Sequence, residues 1–427
     1  MSGMRQGQIV TGIAIEGVDD EGRGRGVVGS WDVAVRGAFP GDLVDRALIE
    51  VVFAQRQLAQ ARRLGPARGP LHIERSCGHE GPCAACPLHG VDEGFAAALK
   101  QERVSQALHD VGIDAVVDPV EAGAGLRQKV KLVSGGRRGA LRLGHYVPHT
   151  HELAPAIHCA HSQDAIVDVV AALQQRLDEQ GLGPERIKAL IAREFVEGTG
   201  VVVVGTGPAP PLGRLRVPGC SGISWRRDDE GKNSLVGGSV VDVDGDPLGT
   251  PLDGGPRCAV DAFCQADVQG AARLVELAAD FAVVDGQALC FDLYAGTGAF
   301  ARALLARGAA RVVAVEVSDA SVAALGTIPG VSAIQGRVED VIEQLRAEGA
   351  VDGVVVDPPK KGLGPAAIDV AALQSRRVAL VSCDVDAGAR DAKVFVDAGY
   401  AIVRVVPVDL FAGSSEVEML TLLELVR

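Results

Sequence analysis

The sequence predicts an α/β protein in which a doubly wound, mostly parallel sheet follows a small β-barrel and an α+β central region. From about residue 266, short apolar runs alternate with helical stretches, which is the rhythm of βαβ units. Residues 1–53 contain short β-rich runs separated by Gly and Pro turns, which are typical of a small barrel. The chain has 427 residues, more than one core normally supports, so several domains are expected.

We predict three domains with boundaries near residues 70 and 265. An OB-like barrel covers 1–70, a central region covers 71–265 and the α/β domain covers 266–427. The clearest patterns in the central region are an amphipathic helix at 162–180 and a strand-like run at 201–204. In the last domain a helix at 268–281 precedes the strands. The predicted strands are ALCFDL, RVVAVE, DGVVVD, VALVSC, AIVRVV and MLTLLELV.

Composition limits the functional classes. Hydrophobic residues make up 47% of the chain and charged residues 23%, as in ordinary globular proteins. The N-terminal residues have no apolar leader, and no apolar run reaches the roughly 18 residues that cross a bilayer. We therefore expect a cytoplasmic monomer without membrane association. Thiols stay reduced in that compartment, so the nine cysteines are better interpreted as metal ligands, a nucleophile and buried apolar residues than as disulfides.

Charge is distributed unevenly along the sequence. The net charge of −13 argues against a general nucleic-acid binder, because phosphate contacts need positive charge. Two basic runs nevertheless lie at 54–75 and 127–142. Their basic residues are Arg56, Arg62, Arg63, Arg68 and Arg75 in the first run and Arg127, Lys129, Lys131, Arg137, Arg138 and Arg142 in the second. Each run is either solvated surface charge or a site of RNA contact.

A glycine-containing turn follows the first strand of the predicted sheet. The strand ends in Asp292, and Tyr294, Gly296 and Gly298 follow it before a helix. Glycines allow the backbone to approach a ligand at such a turn, and Glu316 at the end of the next strand can accept both hydroxyls of a ribose. An adenosine-containing ligand is indicated. The D-x-Y-x-G-x-G pattern is typical of S-adenosylmethionine enzymes, and the alternative is a structural turn in another α/β protein.

Two further strands end in reactive side chains. Asp357 precedes Pro358 and Pro359 after one strand, and Cys383 ends the next strand. The carboxyl ends of parallel strands meet at the crevice where open α/β sheets bind ligands. Cysteine within a strand is usually buried, whereas this position at a strand end favours an exposed, reactive thiol.

A compact cysteine array lies near the start of the central region. Cys77, Cys83 and Cys86 follow a C-x₅-C-x₂-C pattern, and Cys159 offers a remote fourth thiol. Three close cysteines and one distant cysteine suit a [4Fe–4S] cluster, and four thiolates also suit zinc. The histidines His79, His158 and His161 lie nearby and are not needed as ligands.

These motifs together resemble the RNA 5-methyluridine methyltransferases. The matching residues are Phe263-Cys-Gln265-Ala-Asp267, Asp357-Pro-Pro, Ser382-Cys383, Ala389-Arg390-Asp391, Leu410-Phe411 and Glu416-Val417-Glu418. Residues 1–53 are similar to the TRAM barrel of the family's ribosomal-RNA branch, so the resemblance spans nearly the whole chain. It implies a Rossmann-like class I methyltransferase domain.

The resemblance also implies a reaction. A methyl group of S-adenosylmethionine would pass to carbon 5 of a uridine in RNA, with 23S ribosomal RNA expected and transfer RNA as the alternative. Cys383 would add to carbon 6, and Glu418 would remove the proton on carbon 5. The cofactor residues implied are Gln265, Tyr294, Glu316 and Asp357, together with Gly296 and Gly298 of the turn. The family pattern favours a [4Fe–4S] cluster on Cys77, Cys83, Cys86 and Cys159.

This chain departs from the family in three motifs. The usual S-C-N-P is Ser382-Cys383-Asp384-Val385, the usual H-x-E begins with Glu416, and Asp267 replaces the last Asn of F-x-Q-x-N. Carboxylates beside Cys383 and Glu418 would raise the thiol pKa and slow its attack. The alternative function is therefore a catalytically weakened RNA-binding or assembly factor that keeps the fold and the cluster.

Overall fold

The structure is a computed structural model, and it describes residues 3–65, 69–73, 77, 83, 85–147, 152–228, 240–284 and 288–426. Arg68 and Arg75 of the first basic run lie outside these residues, as does His79.

The N-terminal strands form one curled sheet that fits the predicted small barrel. The strands are β1 (Ile9–Ala14), β2 (Gly17–Val18), β3 (Gly24–Val28), β4 (Trp31–Arg36), β5 (Leu43–Phe53) and β6 (Leu58–Arg63). Their order is β1-β5-β6-β4-β3-β2, and only the β4–β6 pair is parallel. A Cβ on Gly26 would lie 2.5 Å from the Ala14 carbonyl oxygen, so glycine allows β3 to cross β1 and close the curl.

The central region contains a seven-stranded sheet covered by a helix. Its elements are α1 (Glu93–Asp110), β7 (Glu121–Ala122), β8 (Lys129–Arg137), β9 (Ala140–Tyr146), β10 (Leu153–Pro155), α2 (Asp164–Glu179), β11 (Ile187–Phe195), β12 (Gly198–Gly205), β13 (Cys220–Arg227), β14 (Val240–Gly245), β15 (Leu248–Gly249) and β16 (Cys258–Ala259). The sheet order is β10-β9-β8-β11-β12-β13-β14. The apolar face of α2 packs on β9, β11 and β12, which confirms the helix predicted at 162–180 and the strand at 201–204.

The C-terminal elements build the predicted doubly wound domain. They are α3 (Val268–Ala282), β17 (Leu289–Leu293), α4 (Ala299–Ala306), β18 (Arg311–Glu316), α5 (Asp319–Leu325), β19 (Val331–Gln335), α6 (Val338–Ala347), β20 (Gly353–Val356), α7 (Ala366–Ala371), β21 (Arg377–Ser382), α8 (Val385–Asp397), β22 (Tyr400–Asp409) and β23 (Glu418–Leu425). The strand order is β19-β18-β17-β20-β21-β23-β22-β7. The first five of these strands are parallel, and β23 is antiparallel to both neighbours.

Helices on both faces bury this sheet. Its central strands are mostly apolar, as expected for parallel strands covered on two sides, and one hydrophobic core lies on each face. All six predicted strands are present, and β19 is an additional one. Within the described residues, no helix has the length and apolar character needed to cross a bilayer.

Two elements of the central region belong structurally to the C-terminal sheet. Strand β7 pairs with the end of β22, where Glu121 lies opposite Val408, and helix α1 packs on α8 and β22. The sequence indicated neither element. The buried face of α1 includes the charged residue Lys100, so its apolar pattern is interrupted, and β7 has only two residues. These elements fix the central region to the edge of the sheet.

Asp292 holds the turn between β17 and α4 through a hydrogen bond to α4. Its side chain is fully buried, and its Oδ2 accepts a hydrogen bond of 2.8 Å from the Ala301 amide. Among the described residues, Oδ1 has no hydrogen-bond partner. Burial, together with the nearby carboxylates of Asp357 and Glu316, raises the pKa of Asp292 to about 7.

This burial predicts a pH-dependent contribution to stability. The folded state keeps the proton of Asp292 up to a pKa of about 7, whereas the unfolded chain releases it near the ordinary value of 3.8. Stability from this group is therefore present at low pH and is lost as the pH rises between these two values, by an amount on the order of 4 kcal/mol. Asp292→Asn keeps the acceptor for the Ala301 amide and stays neutral, so it should reduce this loss. Thermal unfolding at about pH 5 and about pH 8 measures the difference.

The exposed carboxylate Asp114 provides the matched control, Asp114→Asn, which should leave the pH dependence unchanged. If Asp292→Asn and the unmodified protein lose the same stability between the two pH values, Asp292 does not hold a proton in the folded state.

Candidate active site

A cavity of 1280 Å³ lies at the carboxyl ends of the parallel strands, where the strand order reverses between β17 and β20. The central region closes it on one side through Cys258 of β16 and the segment that follows. The predicted site residues that line it are Gln265, Tyr294, Gly296, Glu316, Asp357, Cys383 and Glu418. Strand ends distant in sequence therefore contribute to one cavity.

The turn after β17 uses left-handed backbone conformations. Gly296 has a φ of 53° and faces the cavity, and Tyr294 adopts a φ of 64° although it is not glycine. Gly298 is not among the residues that line the cavity. It precedes α4, and a Cβ there would lie 2.8 Å from side-chain atoms of both Leu325 and Ile328. Glycine is thus needed at 298 for close packing behind the turn.

Glu316 ends β18 and holds the turn through its carboxylate. Its Oε2 accepts a hydrogen bond of 2.8 Å from the Gly296 amide, and its Oε1 accepts bonds from the amides of Val317 at 2.8 Å and Ser318 at 2.9 Å. Each carboxylate oxygen has two lone pairs, so Oε1 is fully occupied and Oε2 has one lone pair left. The side chain is therefore fixed in place with acceptor capacity left for a ligand in the cavity.

Gln265 reaches the same centre from the central region. Its Nε2 donates to Oδ2 of Asp357 at 3.2 Å. The preceding segment is fixed from behind, because Gln128 donates to the Gln265 carbonyl oxygen at 3.0 Å and Lys129 donates to the Ala262 carbonyl oxygen at 2.8 Å. Lys129 of the second basic run thus has a structural partner here.

The Asp267 departure has a structural reason. The side chain is buried, and its carboxylate accepts hydrogen bonds from the amides of Gly270 at 2.7 Å and Leu126 at 2.9 Å. The first bond caps the N-terminus of α3, and the second attaches the segment before β8. Asp267 therefore joins the central region to the C-terminal domain immediately beside Gln265.

Cys383 lies between the end of β21 and the start of α8. Asp384 caps that helix, with its Oδ1 accepting from the Ala387 amide at 2.9 Å, so this departure also has a structural use. A Cβ on Gly388 would lie 2.7 Å from the Cβ of Ser382, so glycine permits α8 to pack closely behind the strand end. The thiol position is consequently set by rigid elements on both sides.

The environment of Cys383 disfavours the thiolate. Burial raises the pKa of the thiol to about 11, and the carboxyl groups of Glu418 and Asp357 add to the increase. The Lys360 cation acts in the opposite direction. The charges that raise this pKa are therefore those of Glu418 and Asp357, whereas the sequence indicated Asp384.

Two buried carboxyl groups lie beside the thiol. Glu418 is 2% exposed, and its Oε2 has no hydrogen-bond partner within the described residues. Burial raises the pKa of Glu418 well above its usual range, and Asp357 and Glu416 contribute to the increase. Burial also raises the pKa of Asp357 to about 7, which the hydrogen bond from Gln265 opposes. An unpartnered buried carboxyl oxygen in a cavity is characteristic of a group that exchanges protons.

Residues 410–417 form the connection between β22 and β23, and several elements hold it. Lys100 of α1 is 1% exposed and forms an ion pair of 2.6 Å with Asp409 at the start of this connection. Arg103, one turn further along α1, donates to the Ser415 carbonyl oxygen at 3.3 Å, and the Leu88 amide donates to the Gly413 carbonyl oxygen at 2.8 Å. The connection carries Glu416 into the cavity wall.

Sequence reasoning missed Lys360, and it assigned no role to Asp391, although both residues shape this wall. Lys360 follows Pro359 directly, lines the cavity and pairs with Glu416 at 3.1 Å. Asp391 on α8 accepts hydrogen bonds from the amides of Leu363 at 2.6 Å and Gly364 at 3.1 Å, which fixes the segment after Lys360. The position of Lys360 beside the Asp357-Pro-Pro turn was the available signal.

The thiols of the four predicted ligand cysteines influence one another electrostatically. Burial raises the pKa of the Cys86 thiol to about 11, Arg127 lowers it, and the thiols of Cys159, Cys83 and Cys77 raise it. The four sulfurs are therefore close enough to interact electrostatically. Among the described residues, no group of three or more Cys, His, Asp or Glu side chains has the arrangement of a bound metal ion.

Cys86 also contacts the connection that carries Glu416. A Cβ on Gly413 would lie 3.3 Å from the Cys86 sulfur and 2.9 Å from Nε2 of His161. Gly413 therefore fits between the cysteine group and a buried histidine with no room for a side chain. His161 has its own partners, with Nδ1 3.3 Å from the Gly125 carbonyl oxygen.

The basic runs differ in how exposed their charges are. In the second run Arg137, Arg138 and Arg142 are exposed on β8, β9 and their turn. In the first run, Arg62 bonds to Glu50 at 3.1 Å and Arg63 to the Gly37 carbonyl oxygen at 2.8 Å, so both stabilise the barrel.

Comparison with known proteins agrees with this architecture. The FtsJ-like methyltransferase family matches residues 268–406. An uncharacterized RNA methyltransferase of Gloeobacter violaceus is 29% identical over 431 residues, covering 91% of each chain. An uncharacterized RNA methyltransferase of Bacillus cereus is 25% identical, covering 97% of this chain and 96% of the relative. The chain is therefore similar over nearly its whole length to proteins described as RNA methyltransferases. The fold class predicted from the sequence is confirmed.

The full architecture of this chain is also found in a solved structure. The tRNA (uracil-54, C5)-methyltransferase of Pyrococcus abyssi, in complex with S-adenosyl-L-homocysteine, matches 96% of this chain and 99% of its own. The TM-score is 0.70 at 19% sequence identity, so the likeness establishes a shared fold. It extends across the barrel, the central region and the sheet domain.

The geometry of Glu316 predicts its effect on cofactor binding. Glu316→Gln places an amide NH₂ opposite a backbone amide and removes one acceptor for the ribose hydroxyls. Hydrogen bonds to a charged group contribute about 1.5–3 kcal/mol each, so binding of S-adenosylhomocysteine should weaken about 10- to 100-fold by isothermal calorimetry. Glu343→Gln, on the exposed surface of α6, is the control. Equal affinity in both variants would exclude Glu316 from the cofactor site.

Proposed function

We propose that this enzyme transfers a methyl group from S-adenosylmethionine to carbon 5 of a uridine in RNA. The observation that carries the proposal is that Cys383 and Glu418 line one cavity together with Gln265 and Glu316. A nucleophile, a base and the cofactor residues implied by the sequence thus surround a common space.

The thiol meets the chief chemical requirement of this reaction. Carbon 5 of uracil is too weak a nucleophile to take a methyl group unaided. Addition of the Cys383 sulfur to carbon 6 moves the double-bond electrons toward carbon 5 and the adjacent carbonyl as an enolate. Carbon 5 then attacks the methyl group. Asp357, bonded to Gln265, is positioned to hold the edge of the pyrimidine or to close the cofactor side.

Glu418 is proposed as the base that completes the reaction. It removes the proton from carbon 5, the double bond re-forms, and the sulfur of Cys383 leaves carbon 6. Burial of the carboxyl group raises its pKa, so once ionised it is a stronger base than an exposed glutamate. Its unpartnered Oε2 is available to accept the proton.

We propose ribosomal RNA as the substrate and transfer RNA as the alternative. The N-terminal curled sheet supports RNA binding in general, because barrels of this type commonly bind oligonucleotides. The resemblance of residues 1–53 to the TRAM barrel of the ribosomal-RNA branch supports the first substrate. The P. abyssi enzyme with the same fold acts on transfer RNA, which supports the second. The exposed charges of Arg137, Arg138 and Arg142 are the proposed contacts to RNA phosphates.

We further propose that Cys77, Cys83, Cys86 and Cys159 bind a [4Fe–4S] cluster. Their mutual electrostatic effect indicates convergence, and an all-thiol donor set suits such a cluster. Bound there, the cluster would hold these four cysteines together, and through Cys86 it would hold them against the connection that contains Gly413. Zinc is the alternative occupant.

One observation favours the alternative function, a weakened enzyme that acts as an RNA-binding or assembly factor. A thiol pKa of about 11 for Cys383 leaves only about one thiol in ten thousand ionised at neutral pH. Turnover therefore requires a group that ionises this thiol, and a chain without one would bind RNA and not methylate it.

The proposed base predicts a trapped intermediate. In Glu418→Gln the proton on carbon 5 stays in place after methyl transfer, so the RNA should remain covalently attached to Cys383 with the new methyl group. Denaturing electrophoresis with a radiolabelled methyl donor should show a labelled protein–RNA band. Sequencing the attached RNA identifies the substrate.

The matched control is the double variant Cys383→Ala with Glu418→Gln, which should give no such band and still bind S-adenosylhomocysteine. Release of free methylated RNA at the unmodified rate by Glu418→Gln would show that another group is the base. RNA binding without methylation by the unmodified protein would support the alternative function.

The cluster proposal predicts the metal content. Protein purified without oxygen should be brown and contain iron and sulfide. Cys159→Ser removes the remote ligand and should release the cluster, because three thiolates leave one iron open. Iron and sulfide per chain are measured chemically, and Cys220→Ser, at another half-buried cysteine, is the control. Zinc as the sole metal would contradict the proposal.

A further inference from the structure

A lysine and a glutamate form an ion pair in the wall beside Cys383. Nζ of Lys360 lies 3.1 Å from Oε1 of Glu416, and the side chains are 64% and 48% exposed. Lys360 comes from the segment after β20, and Glu416 comes from the connection before β23. Two segments distant in sequence are therefore joined at the nucleophile by opposite charges.

A second, smaller cavity lies behind this ion pair. Its volume is 20 Å³, enough for one water molecule, and Arg103 and Asp384 are among the residues that line it. Three residues line both the small cavity and the large one, namely Lys360, Cys383 and Glu416. These three side chains form the partition between the substrate cavity and a polar pocket.

The charges around the thiol differ in their availability for proton transfer. Glu418 and Asp357 are buried, and burial favours their protonated forms. Asp384 already caps α8. Glu416, by contrast, is half-exposed and paired with a cation, so its carboxylate can accept a proton in the resting enzyme.

We propose that Glu416 exchanges the proton of the Cys383 thiol, and that Lys360 positions Glu416 and stabilises the thiolate. This inference rests on the proposed uridine methylation and assigns it a second proton-transfer residue. Glu416, which departs from the family's histidine, is then part of the catalytic machinery.

The proton balance closes over one turnover. The S–H bond of Cys383 breaks, its proton passes to Glu416 directly or through one water in the small cavity, and the sulfur electron pair forms the bond to carbon 6. Glu418 releases its resting proton to solvent before elimination, and this is the one proton that the overall reaction produces. After methyl transfer, the Glu418 carboxylate takes the proton from carbon 5, the double bond re-forms and the S–C bond breaks. The departing thiolate then recovers its proton from Glu416. The two glutamates thus handle separate protons.

RNA containing 5-fluorouridine at the target position tests the inference. Fluorine at carbon 5 cannot be removed as a proton, so a covalent adduct accumulates and its rate reports only the steps through methyl transfer. Glu416→Gln should slow adduct formation about 100-fold, and the remaining rate should rise about tenfold per pH unit, because solvent must take the thiol proton. Glu418→Gln should form the adduct at nearly the unmodified rate.

Variants of the lysine complete the experiment. Lys360→Met should slow the adduct about tenfold, and Lys360→Arg should restore most of the rate by keeping the charge. The neighbouring exposed residue gives a matched control, Lys361→Met, which should react as the unmodified protein does. Glu416→Asp tests partial rescue, and unchanged binding of S-adenosylhomocysteine confirms that each variant is folded.

The outcomes separate the two proposals. If the unmodified enzyme forms no adduct with any RNA offered, the proposed reaction fails and the inference fails with it. If it forms the adduct and Glu416→Gln reacts at the same rate with the same pH profile, the inference alone is overturned. A slow Glu416→Gln with an unchanged pH profile also overturns it, since that result indicates a structural role.

Discussion

The ion pair between the buried Lys100 and the partly exposed Asp409 fixes the start of the connection that delivers Glu416 and then Glu418 to the cavity. Removing Asp409 would leave the buried Lys100 charge uncompensated, which costs about 3–5 kcal/mol. The ion pair therefore holds α1 against β22, whether or not a ligand occupies the cavity. The Lys100 cation of the central region thus sets the position of Glu416 and Glu418 in the C-terminal domain.

The same connection is where the parts of the protein meet. The turn between β2 and β3 of the barrel packs on it, since a Cβ on Gly22 would lie 2.8 Å from Leu88 and 3.5 Å from Ser415. Cys86 contacts it at Gly413. Arg103 donates hydrogen bonds to the carbonyl oxygens of Asp20 in the barrel and Ser415 in the connection. The barrel, the cysteine group and the sheet domain therefore all contact the connection between β22 and β23. A movement of any one of them would change the position of Glu418, the proposed base.

Sequence patterns predicted the sheet domain and the residues around its cavity because apolar strands and strand-end motifs are local signals. Helix α1 was not predicted because Lys100 lies on its buried face and its ion-pair partner is Asp409, more than three hundred residues away. The structural uses of Asp267 and Asp384 as helix caps were likewise invisible without the positions of the amides they bind. The pair of Lys360 and Glu416 needed the fold to bring its members together.

The crossing of α1 and β7 onto the C-terminal sheet bears on how such proteins can be divided. Cut at residue 265, the C-terminal segment would lose the strand paired with β22 and the helix that covers α8, and Asp409 would lose its cation. An unpaired strand edge and an uncovered apolar face favour aggregation. The C-terminal domain therefore cannot be separated from the rest of the chain at residue 265. An engineered fusion or a shortened protein has to begin upstream of α1, which starts at Glu93.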